Sequence, residues 1–151
     1  VNVYVPNGSS IDSEKYIYKL KWLSYLKQYV DSIVNRNEPL CLLGDFNIVL
    51  EARDIHNPSR FNNGIMTSLE EREALKKVLN EELEDVFRIF EQDSGHWSWW
   101  DYRSGGWQRD QGWRIDHIYL SEALIKNAKS CFIISYLFLY IFKINPFSKF
   151  K

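Results

Sequence analysis

The stretch Leu40-Cys41-Leu42-Leu43-Gly44-Asp45-Phe46-Asn47 decides the prediction of the fold. Four consecutive apolar residues that follow a helical segment are typical of a short strand buried on both faces, as in α/β proteins. Asp45 and Asn47 come directly after this run, at the strand end where α/β sheets gather their ligands. A spacing of two residues would turn both side chains to the same side of the sheet. The stretch therefore predicts an α/β domain with a polar site at one edge.

The segments before this strand predict a strand and a helix. Residues 1–5 alternate Val with Asn or Tyr, which indicates a strand, and the turn residues 6–10 end it. Between Ser13 and Arg36 the apolar residues recur every three or four positions, which predicts an amphipathic helix. Ser13 suits the N-cap of that helix.

The segments after it continue the alternation of strands and helices. Ser68-Leu69-Glu70-Glu71 fits a capping box and predicts a second helix. Residues 86–90 fit a strand or a short helix, and residues 114–120 alternate as a strand does. Residues 51–67 and 91–113 are predicted to be loops. This order favours an α/β domain over a helical bundle or a sandwich made only of strands.

Composition and charge exclude several classes of protein. The chain has 151 residues, 45% hydrophobic and 26% charged, which is one globular domain's worth. Two cysteines exclude a disulfide-rich scaffold and a four-cysteine zinc site. The net charge of −1 gives no general basic field, so a nucleic-acid partner would need a local patch. The apolar run 131–142 is shorter than the ~20 residues of a membrane span, so no membrane partner is expected.

Two aspartates are candidates for chemistry, each with a structural alternative. Asp45 could act as a general base or hold a divalent metal, but Gly-Asp and Asn are also common in turns. Asp116 lies in an apolar strand, where a charge needs a partner or a ligand. Arg114, two residues earlier on the same face, could be that partner in a structural ion pair. His117 points to the opposite face and is interpreted as a core or surface residue.

An aromatic stretch gives a second candidate region. Residues 96–114 hold five of the six tryptophans, interleaved with Arg103, Arg109 and Arg114. Such rings can line a pocket for an extruded nucleotide while arginines bind phosphate, or they can form a small core under a loop. Tyr4, at the end of the first strand, could bind phosphate or could simply precede the turn at Pro6.

Taken in order, five motifs resemble one known family. These motifs are Tyr4-Val5-Pro6-Asn7-Gly8, Leu43-Gly44-Asp45-Phe46-Asn47, Glu70-Glu71-Arg72, Ser98-Trp99-Trp100-Asp101-Tyr102-Arg103 and Gly112-Trp113-Arg114-Ile115-Asp116-His117. They resemble bacterial exodeoxyribonuclease III, in the apurinic/apyrimidinic (AP) endonuclease branch of the endonuclease/exonuclease/phosphatase superfamily. The resemblance runs from residue 1 to about residue 131.

The resemblance implies a fold and an activity. The fold is a partial four-layer α/β-sandwich of the DNase I-like type, with residues 1–131 as the C-terminal half of the domain. The activity is DNA repair by phosphodiester hydrolysis that depends on Mg²⁺ or Mn²⁺. Its substrate is double-stranded DNA with abasic sites or 3′ ends, which implies a bacterial cytoplasmic location.

The resemblance also implies roles for individual residues. Asp45 corresponds to the residue that activates water or protonates the leaving group, and Asn47 to its neighbour that steadies the phosphate. Tyr4 corresponds to the active-site tyrosine, and Asp116 to the aspartate that orients a catalytic histidine. The residues expected to bind substrate are Asn7, Trp99, Trp113, Arg114 and Ile115.

The departures from the family predict a chain that is inactive or barely active alone. The main metal ligands are expected in a family half that precedes Tyr4, so that half is a possible partner. A closing Ser-Asp-His motif, which supplies the partner of Asp116, is expected after Cys131 but is not found there. Residues 132–151 instead form an apolar tail that is interpreted as a truncation or a reading-frame shift. A decayed gene product and a non-catalytic DNA-binding fragment remain alternatives, as does a phosphoesterase for lipid or inositol phosphates, although residues 98–103 favour the DNA branch.

Overall fold

A four-stranded mixed sheet forms the centre of the molecule. The computed structural model describes residues 1–34, 36, 38–134 and 139–144. The strands are β1 (Asn2–Tyr4), β2 (Cys41–Asp45), β3 (Leu83–Asp85) and β6 (Asp116–Ser121), in the spatial order β1-β2-β6-β3. β1 is parallel to β2, whereas β6 is antiparallel to both β2 and β3.

Two helices cover one face of this sheet. They are α1 (Glu14–Val34) and α2 (Leu69–Leu79), whose apolar residues pack against Leu42 of β2. The predicted N-cap of α1 is present, since the Ser13 hydroxyl accepts the backbone N–H of Tyr16 at 3.1 Å. The predicted capping box of α2 is also present, with Ser68 and Glu71 bonded to each other's backbone N–H. The amphipathic period and the caps together account for both helices.

Shorter elements cover the opposite face. They are α3 (Val86–Phe90), α4 (Glu122–Ile125) and β7 (Ala128–Ile134), which pairs antiparallel with β8 (Leu139–Ile144). Phe87 and Cys131 pack there against Leu120 of β6 and the half-buried Leu43 of β2. Both faces of β2 are therefore covered, as its apolar run predicts. Of the predicted tail at 132–151, only residues 132–134 and 139–144 lie within the described part of the chain.

The two predicted loops contain short elements that no periodicity could show. A 3₁₀ turn (Ala52–Asp54) lies in the first, and the second forms a two-residue ladder between β4 (Trp99–Trp100) and β5 (Gly112–Trp113). Elements of two or three residues are shorter than the windows over which a pattern is readable. Residues 86–90 form the helix α3, because Asp85 caps its first turn through Phe87 N.

Gly44 allows β1 and β2 to lie close together. Its φ is +136°, and a Cβ there would lie 1.9 Å from the carbonyl oxygen of Val3. Only glycine meets both requirements, so this residue fixes the approach of the two strands. Among the described residues, no helix is long and apolar enough to cross a membrane.

Candidate active site

Three of the four predicted catalytic residues, Tyr4, Asp45 and Asp116, lie side by side on three adjacent strands, and the fourth, Asn47, follows β2. Tyr4 is the register partner of Asp45 across β1 and β2, and Asp45 is the register partner of Asp116 across β2 and β6. Directly opposed residues of neighbouring strands point to the same face. The Tyr4 side chain is 68% exposed, and both aspartates are half-buried. The fold thus brings together residues separated by more than 100 positions.

Asp45 has the electrostatics of a group that exchanges protons near neutral pH. Its pKa is raised to about 6, mainly by burial and to a smaller extent by the neighbouring Asp116 carboxylate, while the N–H of Asn47 and the charge of Lys19 oppose the rise. Its Oδ1 accepts the Asn47 N–H at 2.8 Å. Burial also raises the pKa of Asp116, against a hydrogen bond from the Ser98 hydroxyl. Two carboxyls with raised pKa values at one sheet edge are typical of a site for acid–base chemistry or metal binding.

Asn7 and Asn47 join the two turns that follow β1 and β2. The Asn7 Nδ2 donates to Asn47 Oδ1 at 3.1 Å, and the Asn47 Nδ2 donates to the Val5 carbonyl at 3.0 Å. Asn47 has a left-handed backbone with φ of 50° and is only 4% exposed. It lies beyond the end of β2, so the turn and these bonds orient it, and the period-two spacing argument does not apply.

An aromatic pocket of about 360 Å³ is lined in part by Trp99, whose neighbour Ser98 accepts the Asp116 N–H at 3.1 Å. Its walls include Trp99, Trp113 and Phe61, with ring centroids 5.7 Å apart for Trp99–Trp113 and 5.2 Å apart for Phe61–Trp113. Trp97 and Trp100 from the same stretch are buried in the core instead. The core interpretation therefore holds for Trp97 and Trp100, whereas the nucleotide pocket at Trp99 and Trp113 stays a prediction. The pocket role predicted for Trp99 and Trp113 is geometrically possible.

Ile115 does not line this pocket. The residue is 2% exposed and packs with Val49, Ile55 and Met66 in a small apolar cluster beneath it. Its predicted contact with substrate is corrected accordingly, because it is buried in this cluster, against which Trp99 and Trp113 of the pocket wall pack. Ile115 thus contributes to the packing of two residues of the pocket wall.

Two roles were predicted for Arg114, an ion pair with Asp116 and contact with substrate, and the structure contradicts both. Its Nε donates to Asp54 Oδ1 at 2.7 Å, and its Nη2 donates to Asp85 Oδ2 at 2.6 Å. It does not pair with Asp116, because β6 begins only at Asp116 and the strand alternation does not extend back to Arg114. Arg114 is 0% exposed, so no atom is available to contact substrate. It ties the 3₁₀ turn to the end of β3.

Several buried charged residues were missed by the sequence prediction. The Lys19 Nζ donates to the carbonyls of Asn7 and Asn47 and to Glu71 Oε1, and both charged side chains are 0% exposed. Lys19 could have been predicted to be buried, because it lies on the apolar face of the predicted helix. Asp54 also pairs with Arg88, and this network had no local signal because its partners are distant in sequence. His117 is a core residue, as interpreted, with Nε2 2.9 Å from the Ile48 carbonyl oxygen.

The described residues contain two neighbouring carboxylates but no complete set of metal ligands. In this part of the chain, no group of three or more His, Cys, Asp or Glu side chains could hold a metal ion. Asp45 and Asp116 form a pair of carboxylates, and Mg²⁺ is usually held by one or two carboxylates together with water and substrate phosphate oxygens. The pair is compatible with Mg²⁺ but does not by itself define a metal site.

The fold, with its mixed sheet between helices, is of the DNase I-like α/β type. Residues 1–135 match the model of the endonuclease/exonuclease/phosphatase family, and the chain belongs to that family. Within it, the chain is similar to exodeoxyribonucleases and AP endonucleases. It is 35% identical over 125 residues to the exodeoxyribonuclease of Bacillus subtilis, a match that covers 82% of this chain and 49% of that protein.

Solved structures agree with this assignment. A 3′ phosphatase from Neisseria, bound to a product DNA hairpin, has a TM-score of 0.84 and 35% identity. An AP endonuclease from Archaeoglobus fulgidus has a TM-score of 0.81 and 36% identity. Each match covers 87% of this chain and 51% of the other. The chain thus spans about half the length of the relatives it matches.

Proposed function

We propose that this chain carries part of the active site of a nuclease that hydrolyses phosphodiesters at abasic sites and at 3′ ends of duplex DNA. The observation that carries the proposal is the alignment of Tyr4, Asp45 and Asp116 across three strands. Further support comes from the relatives, which include an exodeoxyribonuclease, an AP endonuclease and a phosphatase bound to a DNA hairpin.

The chemistry matches what phosphodiester hydrolysis requires. The reaction needs an activated water, stabilisation of charge on the phosphate, and a proton for the leaving 3′ oxygen. Asp45, with its pKa raised to about 6, takes a proton from water or gives one to the leaving oxygen at its carboxylate. The exposed Tyr4 hydroxyl donates a hydrogen bond to the phosphate. Asn47 and Asn7 steady the turns beside that phosphate.

The aromatic pocket accounts for the choice of damaged DNA. Trp99 and Trp113 form walls that accept a sugar rotated out of the duplex. Rotating a nucleotide outwards costs a few kcal/mol, and the cost is least where no base must be unstacked. An abasic nucleotide therefore enters the pocket more readily than an intact one.

Mg²⁺ or Mn²⁺ belongs to the proposal as the cofactor. Asp45 and Asp116 would supply up to two of its ligands, and the bound cation would add Lewis-acid stabilisation of the phosphate charge. Further ligands and the histidine partner of Asp116 would come from segments of the family fold that this chain does not match. We therefore propose that the chain alone has little or no turnover. The nuclease would meet its DNA in the cytoplasm.

The test compares DNA cleavage by the chain alone with cleavage by a protein in which the active site is complete. The full chain is joined through a flexible linker to the part of the Bacillus subtilis exodeoxyribonuclease that it does not match; this protein is called the fusion. With Mg²⁺ and a duplex carrying one abasic site, the fusion is expected to cut at that site and the chain alone to cut barely or not at all. Turnover by the chain alone near that of the intact relative would contradict the need for completion. A folded fusion that binds the duplex without cutting it would contradict the proposed function.

A further inference from the structure

Lys19 is a fully buried lysine whose ammonium touches both turns of the proposed site. Its Nζ lies 3.2 Å from the Asn7 carbonyl oxygen, 2.7 Å from the Asn47 carbonyl oxygen and 2.6 Å from Glu71 Oε1. The residue is 0% exposed. An ammonium has three donors, and all three are used here. Burying a charge is unfavourable unless it is paired and fully hydrogen-bonded, and these contacts meet that condition.

The two carbonyl groups belong to the turns that place the site residues. Asn7 follows β1, which ends in Tyr4, and Asn47 follows β2, which ends in Asp45. The Asn47 N–H also bonds to Asp45 Oδ1 at 2.8 Å. A chain of direct contacts therefore runs from the Lys19 ammonium through Asn47 to the Asp45 carboxylate.

The backbone at Asn47 needs such support. Its φ of 50° lies in the left-handed region, which an asparagine tolerates but does not prefer. A hydrogen bond to its carbonyl fixes the orientation of that peptide. The stem of Lys19 passes close to Gly8, where an added Cβ would lie only 3.2 Å from Lys19 Cδ. The ammonium thus reaches the turns from a fixed direction.

Glu71 anchors the other side of the ammonium and is itself fixed. Its Oε2 accepts from the Ser68 N–H at 3.1 Å and from the Ser68 hydroxyl at 2.8 Å, while Oε1 accepts from Lys19. The capping box of α2 therefore also orients the carboxylate that holds Lys19. In this way α1 and α2, on the outer face of the sheet, are coupled to the site turns.

We propose that Lys19 is a positioning residue of the nuclease, in which one ammonium, held by Glu71, fixes the turns after β1 and β2 and so orients Asn47 and Asp45. This role rests on the proposed function. A lysine is required because its compact ammonium can point three donors at three converging oxygens, whereas the guanidinium of arginine is a flat fork. Asp45 is the group that reacts, and Lys19 acts only through the turns.

The first test measures the geometry in the unaltered full chain by NMR. The Lys19 ammonium protons are expected to exchange slowly with water, and the Lys19 ¹⁵Nζ is expected to show a coupling through the hydrogen bond to the Asn47 carbonyl carbon. Lys27, paired with Asp31 at the partly exposed surface of the same helix, serves as the control and should show neither property. Fast exchange of the Lys19 protons and no coupling would overturn the proposal, whatever the variants below do.

The second test measures the consequence in the fusion. The double variant Lys19→Met/Glu71→Met removes both buried charges together, and kcat is expected to fall at least tenfold with little change in KM. The control Lys27→Met/Asp31→Asn removes the surface pair and should leave kcat unchanged. If the double variant does not fold, Lys19→Arg replaces it, because the arginine keeps a positive charge beside Glu71. This variant should also lower kcat at least tenfold. An unchanged kcat in a folded Lys19 variant would overturn the proposal.

The two tests separate this inference from the proposed function. The NMR measurement needs no turnover, so a correct geometry in a fusion that cannot cut DNA contradicts the proposed function alone. An active fusion whose Lys19 lacks the Asn47 coupling contradicts the positioning role alone.

Discussion

At the scale of single residues, Asp45 combines a proposed chemical role with a penalty in stability. Its half-buried carboxyl has a pKa raised to about 6, mainly by burial, so the folded state disfavours the charged form. Residues tuned for reaction often have such an unfavourable environment. The same feature that prepares Asp45 for proton transfer should therefore be visible in the pH dependence of folding.

We expect Asp45→Asn to be more stable than the unchanged chain at pH 7.5, by on the order of 1 kcal/mol after allowance for screening by solvent. The pKa of Asp45 is higher in the folded chain than in the unfolded chain. Its protonated carboxyl therefore stabilises the fold fully below about pH 4, and this stabilisation is lost as the pH rises through about 6. The two proteins should thus differ least at pH 4. Urea unfolding at both pH values measures this, and a variant that is less stable at pH 7.5 would contradict it. The asparagine Oδ1 can still accept the Asn47 N–H, so the turn is retained.

Gly44 is the second residue on which the site depends. We expect Gly44→Ala to destabilise the chain by at least about 3 kcal/mol, because a Cβ would collide with the Val3 carbonyl at 1.9 Å and force β1 away from β2. Gly95→Ala is the matched control, since Gly95 also has a positive φ of +91° but has nothing within 4 Å of its added Cβ. The control should cost only about 1 kcal/mol of backbone strain. Thermal or urea unfolding measures both losses of stability. Equal losses for Gly44→Ala and Gly95→Ala would contradict the prediction, because the collision with Val3 would then add no cost.

At the scale of elements, a buried ion network connects the 3₁₀ turn, β3, α3 and the segment before β6. Asp54 accepts from both Arg88 and Arg114, and Arg114 also bonds to Asp85. Burial alone would raise the pKa of Asp54, but the Arg114 guanidinium holds it below its usual value. The network holds Trp113 and Ile115, on either side of Arg114, in place next to the aromatic pocket.

We expect Asp54→Asn to destabilise the chain by about 3–5 kcal/mol at pH 7, because two buried guanidinium groups would lose a shared carboxylate. The loss should shrink as the pH falls, since a carboxyl with a lowered pKa contributes stability that disappears on acidification. The control Glu38→Gln breaks the exposed pair with Arg36 and should leave the stability nearly unchanged, because solvent screens the pair. Chemical unfolding at several pH values measures both, and a loss for Asp54→Asn as small as that for Glu38→Gln would contradict this account.

At the scale of the whole molecule, the sequence predicted those elements that have a period or a cap. The helices α1 and α2 and the strands β1, β2 and β6 were found because their apolar residues repeat and their ends carry capping or turn residues. The adjacency of Tyr4, Asp45 and Asp116 was expected only through the order of family motifs, because a strand order of β1-β2-β6-β3 cannot be derived from local patterns.

What the sequence could not predict depends on distant pairs. Arg114 was assigned to Asp116 or to substrate, yet its partners Asp54 and Asp85 lie 60 and 29 residues away. Lys19 and Glu71 are 52 residues apart, and nothing local indicates that they meet. Long-range ion pairs leave no periodic trace, so the buried charges that hold this site together required the structure.

The central claim is that the edge formed by Tyr4, Asp45 and Asp116 is where DNA is cut. The most direct measurement is the single-turnover rate at which the fusion cuts a duplex with one abasic site, compared with its Asp45→Asn and Asp116→Asn variants at pH 7.5 with Mg²⁺. The exposed-site variant Ser32→Ala is the control, since its hydroxyl donates to the Tyr29 carbonyl within the outer helix. We predict that both aspartate variants bind the duplex but cut it at least ~100-fold more slowly, in line with the loss of a general acid or base, while Ser32→Ala is unaffected. A rate within threefold of the unchanged fusion for a folded Asp45→Asn variant would contradict the claim.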